Sequence, residues 1–265
     1  MRICPLFSGS SGNATLIEGG GVRLLVDAGL PGSTVCSALR KACVEPSTLT
    51  AILVTHEHRD HINGVGVLSR RFGLPVYANS GTWAAMSPII GDIAPDRERI
   101  FETGRDFYIG GLNITPVRTP HDAAESVGYV FTAAGRRVAL MTDIGHMTDE
   151  LHSAAEGADI LLIESNHDVE MLRAGPYPYP LKRRILGEFG HLSNDSCGTE
   201  LARLYKSGVK NAILGHLSSD NNYEALALLT VRNRLLEADI PEEEFSLTVA
   251  PRDRSAGVFT VEDAV

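Results

Sequence analysis

Residues Ala51 to Val65, AILVTHEHRDHINGV, constrain the fold more than any other stretch of the chain. Four apolar residues, Ala51 to Val54, suit a buried strand that ends at Thr55, and six residues carrying three histidines and two carboxylates follow at once. A core strand therefore has to deliver a metal-ligand cluster. His56 and His58 stand two apart, so in extended backbone they point the same way and can hold one ion through neutral imidazole nitrogens. Helical spacing resumes at Ile62, Val65 and Leu68, so Asp60 and His61 leave the backbone in another direction and suit a second ion beside the first. A lone histidine is ordinarily a surface or hydrogen-bonded core residue, but four specified positions in H-x-H-x-D-H make chance a poor explanation.

The rest of the chain repeats this arrangement. Residues 2–7, 14–18 and 22–27 read as an opening β-meander, and 31–43 as a helix. The first turn, Ser8 to Asn13 (SGSSGN), is either a hairpin loop or a row of donors facing an anion, with Ser10 and Asn13 as substrate contacts. Asp27 is a helix cap or an acceptor that fixes a ligand histidine. A strand at 75–78, a helix near 81–87 and paired strands at 107–117 and 126–132 follow, the pair separated by Thr119-Pro120-His121-Asp122. Strands at 136–141, 159–163 and 211–214 then end in Asp143, Glu164 and His216. Active sites of layered α/β folds gather at such strand ends. Ser193 caps a helix supported by Leu201, Leu204 and Tyr205; the helix 222–238 is read as packing Ala225, Leu228, Leu229, Leu235 and Leu236 on the core. Strands at 245–249 and 257–261 are expected to complete the second sheet.

With 43% apolar and 22% charged residues, the 265-residue chain can bury a large core, and one domain spanning 1–265 is expected. Its apolar runs fall short of the roughly 18 residues that cross a bilayer, and the N-terminus lacks an apolar signal region, so a cytoplasmic protein is expected. Cys4, Cys36, Cys43 and Cys197 have no C-x-x-C spacing and read as reduced, buried or half-buried thiols. A net charge of −9 excludes a nonspecific nucleic-acid coat without excluding local phosphate recognition. No obligate protein partner can be inferred.

In this order, Asp27, His56-Glu57-His58-Arg59-Asp60-His61, His121, Asp143 and His216, the chain resembles the metallo-β-lactamase-fold hydrolases over residues 1 to about 220. The resemblance implies a four-layer αββα sandwich with a dinuclear site. His56, His58 and His121 would hold the first ion, and Asp60, His61 and His216 the second, with Asp143 bridging. Within that superfamily the chain is most similar to the YycJ (WalJ) branch, through SGSSGN, ESNHD, GPYPYPLKRRI, GHLSND and LGHLSSDNN. The activity reported for that branch is 5′-to-3′ double-stranded DNA exonuclease. A more distant resemblance to tRNase Z implies catalytic roles for Glu164 and His191, although the arm that clamps tRNA has no counterpart here.

Two divalent ions, Zn, Mn or Fe, would supply a hydroxide nucleophile, so no Ser or Cys nucleophile is required. Asp60 would serve as ligand and base. His191 would protonate the departing oxygen, with Glu164 orienting it and favouring its charged form. His167 and Arg183, the latter within Lys182-Arg183-Arg184, are expected to touch substrate, whereas His146 and His152 read as surface residues. These features favour a nuclease acting on DNA. A hydrolase of a thioester, lactone or cyclic phosphodiester is the alternative, and a non-catalytic regulatory module is disfavoured by the full ligand set.

Overall fold

The computed structural model describes residues 1–262. The opening meander is β1 (Arg2–Phe7), β2 (Ala14–Gly19) and β3 (Val22–Val26), and α1 (Gly32–Lys41) returns the chain to β4 (Ala51–Leu53) beside β3. The short α2 (Arg59–Ile62) and then α3 (Val65–Phe72) lead to β5 (Val76–Asn79), and α4 (Ser80–Ile90) leads to β6 (Glu98–Phe101). The second half opens with four antiparallel strands, β7 (Phe107–Ile109), β8 (Leu112–Arg118), β9 (Val127–Ala133) and β10 (Arg136–Met141). It continues through α5 (Asp149–Ala155), β11 (Ile160–Glu164), α6 (Val169–Ala174), α7 (Tyr179–Ile185), α8 (Asn194–Tyr205), β12 (Asn211–Gly215), α9 (Glu224–Glu237), β13 (Ser246–Val249) and β14 (Phe259–Thr260).

Two seven-stranded mixed sheets result, ordered β14-β1-β2-β3-β4-β5-β6 and β13-β12-β11-β10-β9-β8-β7. Their strands are apolar on both faces, and the period of two sends alternate residues into different cores. Val138 and Leu140 join Ile17, Leu24 and Leu53 between the sheets, while Ala139 and Met141 pack outward with α5 and α8 residues such as Leu151 and Leu201. A third core sets Leu25 and Ile52 against Val35 and Leu39 of α1 and Leu68 of α3. Three cores between four layers make the αββα sandwich.

The structure revises several expected elements. The run 107–117 is two strands, because Gly110 takes a left-handed φ of 56° and reverses the chain. Strand β6 lies within a polar stretch with no apolar pattern to mark it. Helix α9 buries Ala227, Val231 and Leu235, a four-residue spacing, while Leu229 and Leu236 are exposed. The last strand, β14, pairs with β1 in the first sheet, so only β13 completes the second. Cys43 is exposed, unlike the other three cysteines.

Candidate metal centre

Strands β3, β4, β8, β10, β11 and β12 all end at the same edge of the sandwich, and each supplies a polar residue there or in the loop just beyond: Asp27, His56, His121, Asp143, Glu164 and His216. Asp27, Asp143 and His216 have φ of 60°, 57° and 55°. Such left-handed conformations cost about 1–3 kcal/mol each outside glycine and persist only where surrounding structure enforces them. Here they turn side chains inward as the strands stop. After β4, α2 contributes Asp60 and His61, and a break at Asn63-Gly64, whose Gly64 amide donates to the Ala28 carbonyl at 2.7 Å, separates α2 from α3.

Two donor sets meet at this edge. His56, His58 and His121 form one, and Asp60, His61 and His216 the other, the donor atoms of each set lying within 4.8 Å of one another. Asp143 lies between them, with Oδ2 3.4 Å from His61 Nε2 and Oδ1 3.8 Å from His121 Nε2. Most of the imidazoles have one nitrogen fixed from behind. His61 Nδ1 donates to Asp27 Oδ2 at 2.8 Å, His216 Nδ1 to Glu164 Oε1 at 2.7 Å, and His121 Nδ1 to the Gly190 carbonyl at 3.1 Å; His56 Nδ1 lies 3.0 Å from Thr55 Oγ1. That fixes the tautomers and aims the other nitrogens inward.

His56 Nε2, His216 Nε2 and Asp143 Oδ2 are buried yet have no hydrogen-bond partner in the protein. Buried polar atoms are seldom left unpaired, and imidazole and carboxylate donors converging in this way fit divalent cations. Electrostatics agree. Burial would lower His61, but Asp143, Asp27 and Asp60 more than offset it and raise the imidazole to about 9, a measure of the negative field of these carboxylates. His56 is driven the other way, by burial and the neighbouring imidazoles, towards the neutral form that offers a lone pair. Burial also opposes ionisation of Asp60, yet the nearby imidazoles of His216 and His61 hold its carboxyl well below the usual range.

Glu164 is fully buried. Its Oε1 accepts from His191 Nδ1 at 2.8 Å as well as from His216, while Oε2 accepts the backbone amides of Ile144 and Leu192 at 2.8 and 3.3 Å. One carboxylate thus spans the second donor set and His191, whose ring centroid lies 5.0 Å from that of His121. Behind it, Asn166 donates to the His216 carbonyl, and Asn222 donates to the carbonyls of Ser165 and Asn166 and to Asn194 Oδ1. Ser8 Oγ accepts the His216 amide at 2.8 Å. The asparagines fell within motifs of the sequence, but nothing in their spacing signalled that they are mutual partners.

Other expected site residues lie elsewhere. Asn13 is buried, and its side chain closes its own loop onto Gly9 and reaches within 3.0 Å of His61 Nε2. Ser10 is exposed. His167, expected to touch substrate, is 1% exposed with both ring nitrogens unpaired, and burial lowers it to about 4. Arg183 is exposed, whereas Lys182 donates to the Arg173 and Gly175 carbonyls and Arg184 pairs with Asp122. His146 is exposed, as expected, but His152 is half-buried and pairs with Glu200 of α8.

Residues 22–217 match the family model of the beta-lactamase superfamily domain. The chain belongs to this superfamily and is a metal-dependent hydrolase. It is 44% identical over 237 residues to exodeoxyribonuclease WalJ of Streptococcus pneumoniae, an alignment covering 89% of this chain and 88% of the relative. Exodeoxyribonuclease YycJ of Bacillus anthracis is 43% identical over 89% of this chain and 90% of its own. The metallo-beta-lactamase fold protein YhfI of Bacillus subtilis superposes with a TM-score of 0.72 at 18% identity, over 96% of this chain and 98% of that one, a likeness of fold. Among the described residues no helix is long and apolar enough to cross a membrane.

Proposed function

We propose that this chain is a DNA exonuclease that degrades double strands from the 5′ end, using two divalent ions. The observation that carries the reading is the Glu164–His191 pair at 2.8 Å beside two adjacent donor sets. His56, His58 and His121 would hold one ion, Asp60, His61 and His216 the other, and Asp143 would contact both. Ions bound there supply Lewis acidity, activating water and neutralising charge on a phosphoryl oxygen.

The chain's own residues do the rest. Hydrolysis breaks the bond from phosphorus to the 3′ oxygen, and that oxygen needs a proton as it departs. His191 is placed to give it: Glu164 accepts from Nδ1 and fixes the ring, leaving Nε2 to carry the transferred proton. Glu164 is itself held by two backbone amides, so the imidazole has little freedom to swing away. The names of the two relatives, which share more than four residues in ten with this chain, support DNA as the substrate.

End-labelled duplex DNA, single-stranded DNA and structured RNA, each assayed with Mn and with Zn, test the reading. Mononucleotides should be released from the 5′ ends of the duplex. Inertness towards all three, with turnover of a thioester, would transfer the site to small-molecule hydrolysis.

A further inference from the structure

The segment from α7 to His191 leaves three large apolar side chains in solvent: Tyr179, Leu186 and Phe189, which are 73%, 44% and 59% exposed. Scattered exposed residues of this kind are ordinary. This segment differs because its backbone is fixed to the metal edge. The Phe189 carbonyl accepts the Asp122 amide at 3.2 Å, the Gly190 carbonyl faces His121 Nδ1, and the His191 amide donates back to the Ile185 carbonyl at 3.0 Å. Arg184 locks α7 to Asp122, and a Cβ on Gly190 would meet the Ile185 carbonyl at 2.2 Å, so the turn folds tightly on the last turn of α7. Phe189 is thus an aromatic ring held in water by a rigid turn, two residues before His191. Within α7, six residues before Phe189, Arg183 is exposed with no ion-pair or hydrogen-bond partner among the described residues.

We infer that this turn grips the terminal nucleotide of the DNA end: Phe189 stacks on its base and Arg183 meets a backbone phosphate. The inference rests on the nuclease reading above. A nucleotide is the occupant that fits both the turn and the helix before it, since its base offers a flat π-face for the ring and its phosphate a partner for the guanidinium. A ring on a pinned backbone loses little freedom on stacking, and stacking tolerates every base, as an enzyme that removes successive nucleotides requires.

The test compares wild-type protein with Phe189→Ala and Phe189→Tyr on two blunt duplexes, one ending in a normal 5′ nucleotide and one whose 5′-terminal residue is an abasic tetrahydrofuran. On the normal end, Phe189→Ala should raise KM about 5- to 100-fold, the size of a lost base–aromatic stack, and Phe189→Tyr should restore it. On the abasic end the wild type should lose a similar factor and the Ala variant little more. Equal KM values for wild type and Phe189→Ala on the normal end would overturn the stacking role while leaving the nuclease reading intact. An equal further loss for the Ala variant on both ends would overturn it too. Failure of the wild type to cleave either duplex would remove the nuclease reading and this inference together.

Discussion

His191→Ala should leave the donor sets filled yet slow an unactivated phosphodiester by about 10² to 10⁴, the range for a lost general acid. A bis-nitrophenyl phosphate, whose leaving group needs little protonation, should be slowed far less, and steady-state rates on both substrates check this. Equal losses would remove His191 from proton transfer. Glu164→Gln should behave differently, depressing both substrates, because the same Oε1 also accepts from His216. That sharing was beyond reach of the sequence. Residue types in order are enough to suggest donors such as His56, Asp60 and His216, since few other residues bind metal and each follows an apolar run. Sequence leaves open whether Asp27 caps a helix or braces a histidine; in the structure its carboxylate accepts from His61 and from the Thr55 amide. His167 poses the same difficulty: a polar residue after a strand reads alike whether its ring is exposed or, as here, buried.

At the scale of elements, the strands that carry the site were legible because both their faces are apolar, which gives short, dense hydrophobic runs. Elements with weaker patterns were not. Strand β6 is exposed at three of its four positions, and of the residues expected to pack α9 on the core only Leu235 joins Ala227 and Val231 in the buried stripe. Close approaches between loops leave no pattern either. Gly29 shows the consequence: a Cβ there would fall 1.6 Å from the Asp60 carbonyl oxygen, so the β3–α1 loop can pass the metal-binding loop only as glycine. Gly29→Ala should therefore displace Asp60 and His61 and destabilise the protein by at least about 1–3 kcal/mol, the cost of overpacking. Thermal denaturation should show a lowered Tm and elemental analysis a reduced metal content. A variant with unchanged Tm and metal content would mean that the loops separate freely.

Across the whole molecule, a charge of −9 sets how DNA would be held under the proposed nuclease function. Near the site, Arg59 and Arg183 are exposed with no ion-pair partner among the described residues, while Arg184 is committed to Asp122. With about two phosphates met by protein cations, log Kobs for duplex binding should fall with log salt at a slope of about −2, far shallower than for proteins that neutralise many phosphates. Fluorescence anisotropy between 50 and 200 mM salt, a range of about this size being informative, would measure it, and a slope steeper than about −5 would reveal a basic surface that the charge distribution does not provide. The sandwich brings six strand ends from two sheets to one edge, so that donors spread from His56 to His216 meet there with Asp27 bracing one of them. The direct test is stepwise addition of Mn to chelator-treated protein, with bound metal and duplex cleavage measured on the same samples. Cleavage should stay near background through the first equivalent, rise across the second and then level off; full activity at one equivalent would contradict a two-ion nuclease.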